Sequence, residues 1–308
     1  MSTKISVVIP LYNKAATIAD ALRSVVAQRY APHEIIVVDD GSTDDSAAVV
    51  EQLGIAGLQL IRQANGGVSR ARNRGVEAAT GELVAFLDGD DCWEEGFLGE
   101  IASLAADYPA AGLYCTAFHI VADGRLTPAP CPSERGIVSD FFGSSAHRYI
   151  AIPSASAVRR EAFIAVGGFP AGMKIGEDLY LWILLARRYA VAFSPLRAVR
   201  YSREAENRST TIYTPEKSPY SFEELYDPTA PLDEREFVAR AALGKALILV
   251  AKGDDEAARS AIDTFSYTKT YSRTLLKVKA LLRLPKRWRQ PLLNGYNRLA
   301  WLIAKKGL

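Results

Sequence analysis

"LVAFLDGDDCW", residues 83–93, decides how this chain is read. Five apolar residues run directly into Asp88, Gly89, Asp90 and Asp91. A short apolar run that stops at a turn signal reads as a buried strand. This strand ends in three carboxylates separated by a single glycine. Charges of one sign held that close oppose each other's ionisation, so the cluster needs a countercharge.

The flanking sequence gives the strand its neighbours. "KISVVIP" (4–10) is a β-branched run stopped by Pro10, and "EIIVVDDGS" (34–42) is a second buried strand ending in acids and a glycine turn. "LQLIRQ" (58–63), "ELVAFLD" (82–88) and "GLYCTAFHIV" (112–121) follow as strands. Between them, 15–28, 43–53, 67–79 and about 94–106 carry helical spacing, the second with Thr43 or an Asp as cap and acids in its first turn. Alternation over short connections implies an α/β fold: a mostly parallel sheet with helices on both faces. Such sheets bind ligands beyond the carboxyl ends of their strands. Tyr12 and Asn13, Asp39 and Asp40, and Asp88 to Asp91 all fall at those ends.

Bulk properties are those of a soluble globular protein: 308 residues, 49% hydrophobic, 23% charged, net charge +2. Three cysteines without metal-type spacing read as reduced thiols of a cytosolic protein, and three scattered histidines argue against a His-based zinc site. Lys4 leads straight into a strand, so no signal peptide is expected, and no apolar run reaches the ~20 residues of a spanning helix. The small net charge hides an asymmetry. From Thr264 onward there are eleven Lys/Arg and no Asp/Glu, leaving −9 on residues 1–263.

Neither a P-loop nor a GxGxxG turn is present; "GGVSRARNRG" has the wrong spacing. Clustered carboxylates suit a hard divalent cation, Mg²⁺ or Mn²⁺, which would also bridge to diphosphate oxygens. A plain surface turn with Asp caps remains the structural alternative.

Four stretches in order, "VVIPLYNKAATIADALRSVVAQ", "EIIVVDDGSTDDS", "NGGVSRARNRGVEAATGELVAFLDGDDCW" and "GGFPAGMKIGEDLYLW", resemble the family 2 glycosyltransferases of the GT-A fold over roughly residues 4–200. The resemblance implies an inverting, metal-dependent transfer of sugar from a nucleoside diphosphate donor. It places Pro10, Tyr12 and Asn13 at the nucleobase, where an aromatic strand cap can stack. It gives Asp40 the ring N–H of uracil, which an acceptor-only carboxylate suits, with Asp39 as a structural partner. A uridine or thymidine donor follows, although some relatives use guanosine. Asp88 would contact the ribose and support the metal, Asp90 would ligate it, and Asp91 would support them or cap the next helix. Asp178 matches the catalytic base and Glu177 its support; a carboxylate at a helix N-terminus is well placed to accept a proton. Trp182 reads as core.

Three arginines follow the third strand. The resemblance implies a nucleotide contact near Arg70; Arg70 and Arg74, four apart, share a helix face, so one of those two is expected to make it and Arg72 to lie in solvent. Two positions depart from the resemblance: Leu184 stands where relatives carry Arg, and Glu204 where many carry a metal- or diphosphate-binding His. Glu204 is therefore a speculative third metal ligand, with Arg203 and Arg208 as alternatives at the diphosphate. The Gln-x-x-Arg-Trp motif of processive synthases is missing, so single-sugar addition is expected.

Residues 122–157 read as a loop over the acceptor side. Domain organisation is expected as a catalytic domain over 1–213, divided into a nucleotide-sugar half (1–121) and an acceptor half (122–213). A linker at 214–234 and a helical, basic region then run to 308. Residues 234–265 read as two helices joined at Gly253, similar to a single tetratricopeptide-like unit. The Leu-, Trp- and Lys/Arg-rich end suits an anionic membrane surface better than nucleic acid, or packs on the catalytic domain. The expected acceptor is a glycan or polyprenyl-linked intermediate of bacterial surface polysaccharide synthesis, met at the inner face of the cytoplasmic membrane. A nucleotidyltransferase, or a degenerate sugar-nucleotide-binding scaffold, is the alternative.

Overall fold

The computed structural model describes residues 3–146, 148, 150–204 and 218–305. The chain clusters into two compact units, Met1–Tyr213 and Thr214–Leu308.

The first unit opens with β1 (Ile5–Leu11), α1 (Ile18–Val26), β2 (Glu34–Asp39), α2 (Ser46–Gln52), β3 (Leu58–Arg62), α3 (Val68–Ala78) and β4 (Leu83–Phe86). Short β5 (Cys92–Trp93), α4 (Phe97–Asp107) and long β6 (Ala111–Ala122) follow. Next come β7 (Arg125–Pro128), β8 (Gly136–Ile137), α5 (Phe141–Ser145), β9 (Ser156–Arg159), α6 (Arg160–Ala165), α7 (Glu177–Arg188) and β10 (Ala190–Ser202). The sheet runs β3-β2-β1-β4-β9-β6-β10-β5, with β7 on β6 and β8 on β10. β1, β2, β3 and β4 pair in parallel, and so do β6 and β10. β9 is antiparallel to both β4 and β6, so those two point the same way around it. The carboxyl ends of β1, β2, β4, β6 and β10 therefore share one edge.

Alternation along β1 shows why both faces are covered. Ile5, Val7, Ile9 and Leu11 enter one core with α1 and α4, through Leu22, Val25, Phe97 and Ile101. Val8 enters the other with Ala71 and Val76 of α3 and Leu181, Trp182 and Leu185 of α7. Trp182 is buried as core. α3 and α7 thus lie on the same face of the sheet, which places their polar residues together. Gly75 makes the close approach possible: a Cβ there would meet Val8 Cγ1 at 2.3 Å.

Two expectations need correction. Residues 122–157 are not one loop, because β7 and β8 form within them and extend the sheet, and α5 follows. The stretch 214–234 is not all linker. Phe222 and Leu225 are buried, Tyr226 stacks on Tyr267 at 5.5 Å, and α8 (Leu232–Ala251) begins before the stretch ends. The second unit continues with α9 (Asp255–Thr264), α10 (Ser272–Arg283) and α11 (Lys286–Lys305), and Gly253, at φ +96°, separates α8 from α9. Among the described residues no helix is long and apolar enough to cross a membrane.

Candidate active site

The loop after β1 is stitched to the loop after β2. Asn13 Oδ1 accepts from Thr43 N at 2.8 Å, and Ser42 Oγ accepts from Asn13 N at 3.1 Å. Asn13 adopts φ +51°, a left-handed conformation that Asn tolerates better than most residues. Asp39 Oδ1 accepts from Ser42 N at 3.0 Å and closes the turn. Tyr12 is 39% exposed and Pro10 half-buried beside it.

Asp40 is buried, and its carboxylate already takes three donors: Gln63 Nε2 at 2.7 Å, Gly66 N at 2.9 Å and Gly67 N at 2.7 Å. The two glycine amides belong to the N-terminal approach of α3, where a negative charge is favoured. Gly67 holds φ +88°, which suits glycine best. Asp40 thus orders the loop leading into α3, with about one acceptor position of the usual four left over. Arg70 is exposed and its side chain lies against Gly66, beside that loop.

The arginine assignment changes. Arg72, expected in solvent, is 2% exposed. It donates to Asp88 Oδ1 at 2.7 Å and to Glu177 Oε1 at 3.1 Å, and lies 5.1 Å from the centre of the Phe169 ring. The buried positions of α3 are Ser69, Ala71, Arg72, Gly75 and Val76. Arg72 is thus three residues from Ser69 and four from Val76, on the inward face, while Arg70 and Arg74 share the outward one. Burial alone would lower the Arg72 pKa, but the charges of Asp88 and Glu177 raise it above its ordinary value.

The opening cluster is resolved by three different means. Asp88 is paired with Arg72. Asp90 is paired with Lys14, whose Nζ lies 2.7 Å from Asp90 Oδ2, both side chains being 15% exposed. Asp91 is 1% exposed, accepts from Ser202 N at 2.7 Å, and keeps Oδ2 without a partner. Burial, then the charges of Asp88 and Asp90, push its pKa well above the usual carboxylate range and favour its neutral form. Thr17 Oγ1 donates to Gly89 O at 2.7 Å, and Ser154 Oγ accepts from Asp88 N at 3.0 Å, fixing the turn on both sides.

Glu177 and Asp178 open α7 after Gly176, which sits at φ +79°. The Glu177 side chain is 13% exposed, and its pKa is pushed up to about 7, by burial first and the Asp178 charge second, against Arg72. Asp178 is also pushed up, chiefly by burial, while the Leu179 N–H it accepts at 2.8 Å and Arg72 pull the other way. Asn73, one residue past Arg72, exchanges two hydrogen bonds with the Phe169 backbone, at 2.8 and 2.9 Å, and ties the Gly168–Phe169 turn to α3.

Sequence reasoning missed Lys14, Arg72, Asn73 and Ser154. For Arg72 a signal existed: small residues flank it, and the acids at the strand ends lacked a cation. Glu204 is exposed and accepts from Gly124 N at 2.7 Å, at the turn between β6 and β7. Arg203 is exposed too, and Arg208 lies outside the described residues. Among the described residues no three His, Cys, Asp or Glu side chains converge as a metal cage. Asp88 and Asp90, with side chains 28% and 15% exposed, offer hard carboxylate oxygens of the kind on which Mg²⁺ or Mn²⁺ can rest together with substrate phosphates.

A Rossmann-like sheet with helices on both faces and paired carboxylates on its carboxyl edge is the GT-A class of fold. The family model described as glycosyl transferase family 2 matches residues 6–167, more than half of the chain, and the chain belongs to that family of glycosyltransferases. An uncharacterised glycosyltransferase of Nostoc is 47% identical over 104 residues, 33% of this chain and 32% of that protein. An uncharacterised Mycobacterium tuberculosis protein is 32% identical over 206 residues, 62% and 64% of the two chains. These matches span about one to two thirds of the relatives' own lengths. S. aureus TarS residues 1–349, solved in complex with UDP-GlcNAc, superposes with TM-score 0.62 at 20% identity, covering 89% of this chain and 79% of that one.

Proposed function

We propose that this protein moves one sugar from a nucleoside diphosphate sugar, a uridine donor being favoured, to an acceptor hydroxyl with inversion at the anomeric carbon. The observation that carries the reading is the Arg72 hub. One buried guanidinium holds the donor-side Asp88 and the base-side Glu177, with Asp178 beside them. The UDP-GlcNAc bound by TarS supports the uridine donor.

Tyr12 and Pro10 offer an apolar face to the base, and the remaining acceptor position of Asp40 suits a ring N–H. Arg70 lies against Gly66, in the loop whose amides bind Asp40. Asp178 accepts the proton of the acceptor hydroxyl as its oxygen bonds to the anomeric carbon. The bond from that carbon to the diphosphate breaks, and its electron pair leaves on the diphosphate oxygen. The raised pKa of Asp178 brings its basicity closer to that task. Glu177, clamped by Arg72, orients the start of α7. Asp90, with Asp88, would hold a divalent cation; when bound, it would neutralise charge on the leaving diphosphate. We infer that the acceptor is a glycan or polyprenyl-linked intermediate of bacterial surface polysaccharide synthesis, met at an anionic membrane face. The basic, Trp-bearing C-terminal region supports that placement.

The test is Asp178→Asn. It should bind UDP-sugar as the parent does, seen as an equal thermal shift, and lose transfer by about 10²–10⁴-fold. Retained transfer would remove Asp178 as base. Thermal shifts with UDP-, GDP- and dTDP-sugars, with and without Mn²⁺, address donor and metal. A shift indifferent to Mn²⁺ would count against Asp90 as its ligand.

A further inference from the structure

The helical unit shows its outer face in detail. On α10, Leu275, Val278 and Leu281 are buried within the unit. Arg273, Leu276, Ala280 and Arg283 recur at steps of three and four residues and are all exposed, Leu276 by 64%. The opposite face of the helix is therefore occupied, and this stripe is turned outward.

α11 begins in a fixed orientation. Arg289 is 3% exposed, donates to the Asp255 carboxylate, and donates to the carbonyls of Leu284 at 2.9 Å and Leu282 at 3.2 Å. That lock secures the first turn, and the residues around Arg289 point away from the unit. Trp288 is 53% exposed and Leu292 50%. Arg287 is exposed as well, and so is Lys286, whose Nζ donates to Gly253 O at 2.8 Å.

One exposed leucine is ordinary. Leu276, Trp288 and Leu292, interleaved with exposed cations in a stretch without any acid past Asp263, are not. Arg and Lys alone would suit any polyanion. The apolar members need a partner that is anionic at its surface and apolar just beneath, and Trp favours that boundary.

We propose that the outward stripe of α10, with Trp288 and Leu292 at the start of α11, is a docking surface for an anionic lipid bilayer. Leu276, Trp288 and Leu292 enter the headgroup boundary, and Arg273, Arg283, Lys286 and Arg287 meet lipid phosphates. Each such cation raises vesicle partitioning about fivefold at modest salt. The surface rests on the reading above only for its purpose, a membrane-held acceptor, because vesicle binding and donor binding are measured separately.

The full chain is floated with phosphatidylcholine vesicles, with and without phosphatidylglycerol, at about 0.1 M salt. Binding is expected only with the anionic lipid. Leu276→Glu combined with Trp288→Glu, and separately Arg283→Glu combined with Arg287→Glu, should each lower partitioning at least tenfold. Arg23→Glu, a charge reversal on α1, should change it less than twofold. Trp288→Ala, with little demand on folding, should lower it severalfold. UDP-induced thermal shift must stay at the parent value in every variant, which keeps the glycosyltransferase reading intact whatever the vesicles show. Equal recovery on phosphatidylcholine alone overturns the proposal. So does a loss with the charge reversals but not with the Leu276 and Trp288 variants, since that result describes a general polyanion site.

Discussion

Replacing Arg72 with Met keeps most of the side-chain volume on α3 and removes the cation that Asp88 and Glu177 share. Breaking a buried ion pair from one side costs about 3–5 kcal/mol. Asp88 is 28% exposed on its side chain and recovers some hydration, so the lower end, about 3 kcal/mol, is expected at pH 8. The cost should depend on pH in a defined direction. Glu177 has a folded pKa of about 7, above its ordinary 4.5, so it binds more protons folded than unfolded between those values. Its contribution to stability is full below about 4.5 and is lost as pH rises through 7. Arg72 limits that loss by stabilising the ionised form. Without Arg72 the pKa rises further, and the fall with pH becomes larger and extends higher. Urea unfolding of parent and Arg72→Met at pH 5.5 and 8 measures this directly. A deficit below about 1 kcal/mol at pH 8, or an equal deficit at both pH values, would refute the hub as an electrostatic unit. Arg72→Lys should recover only part of the deficit, because one ammonium cannot span two carboxylates in fork geometry.

Other substitutions probe neighbouring links. Glu177→Gln mimics the neutral form that Glu177 favours below about 7, so the acidic limb of the kcat/KM profile should stay at its parental position; a shifted limb would mean that Glu177, not Asp178, sets it. Lys14→Met frees Asp90 from its ion pair, so nucleotide-free Mn²⁺ affinity, followed by electron paramagnetic resonance, should rise about fivefold. Unchanged affinity would remove Lys14 as a competitor of the cation. Gly75→Ala forces a methyl against Val8 and should cost about 2 kcal/mol in chemical unfolding; a neutral result would mean that α3 can move off β1 freely.

Much of the donor half was legible because strand and helix periods are local. The runs ending at Pro10, Asp39 and Asp88 are apolar on both faces, as strands covered by helices must be. The acceptor half was less so. β7 and β8 are short, and each is a strand through a distant partner: β7 pairs with β6 at 119–122, beyond its pairing with β9, and β8 pairs with β10 at Ala192 and Phe193. Phe222 and Leu225 sit among prolines in what reads as linker, and their burial depends on helices that follow in the chain. The spacing of Arg70 and Arg74 shows that they share a helix face but not which face is buried; packing on the sheet turns that face outward and Arg72 inward with Ser69 and Val76.

The sequence by itself determined the alternating α/β order, the polar ends of the strands and the family to which the chain belongs, since each depends on neighbours a few residues apart. Only the tertiary structure decided how the three acids of "DGDD" coexist. Asp88 meets Arg72 from α3, Asp90 meets Lys14 from the loop after β1, and Asp91 is buried against the end of β10 and pushed toward its neutral form. Those partners come from 16, 76 and 111 residues away, and no local pattern records them. They are fixed by the packing of α3 and α7 on one face of the sheet and by the shared edge where its strands end.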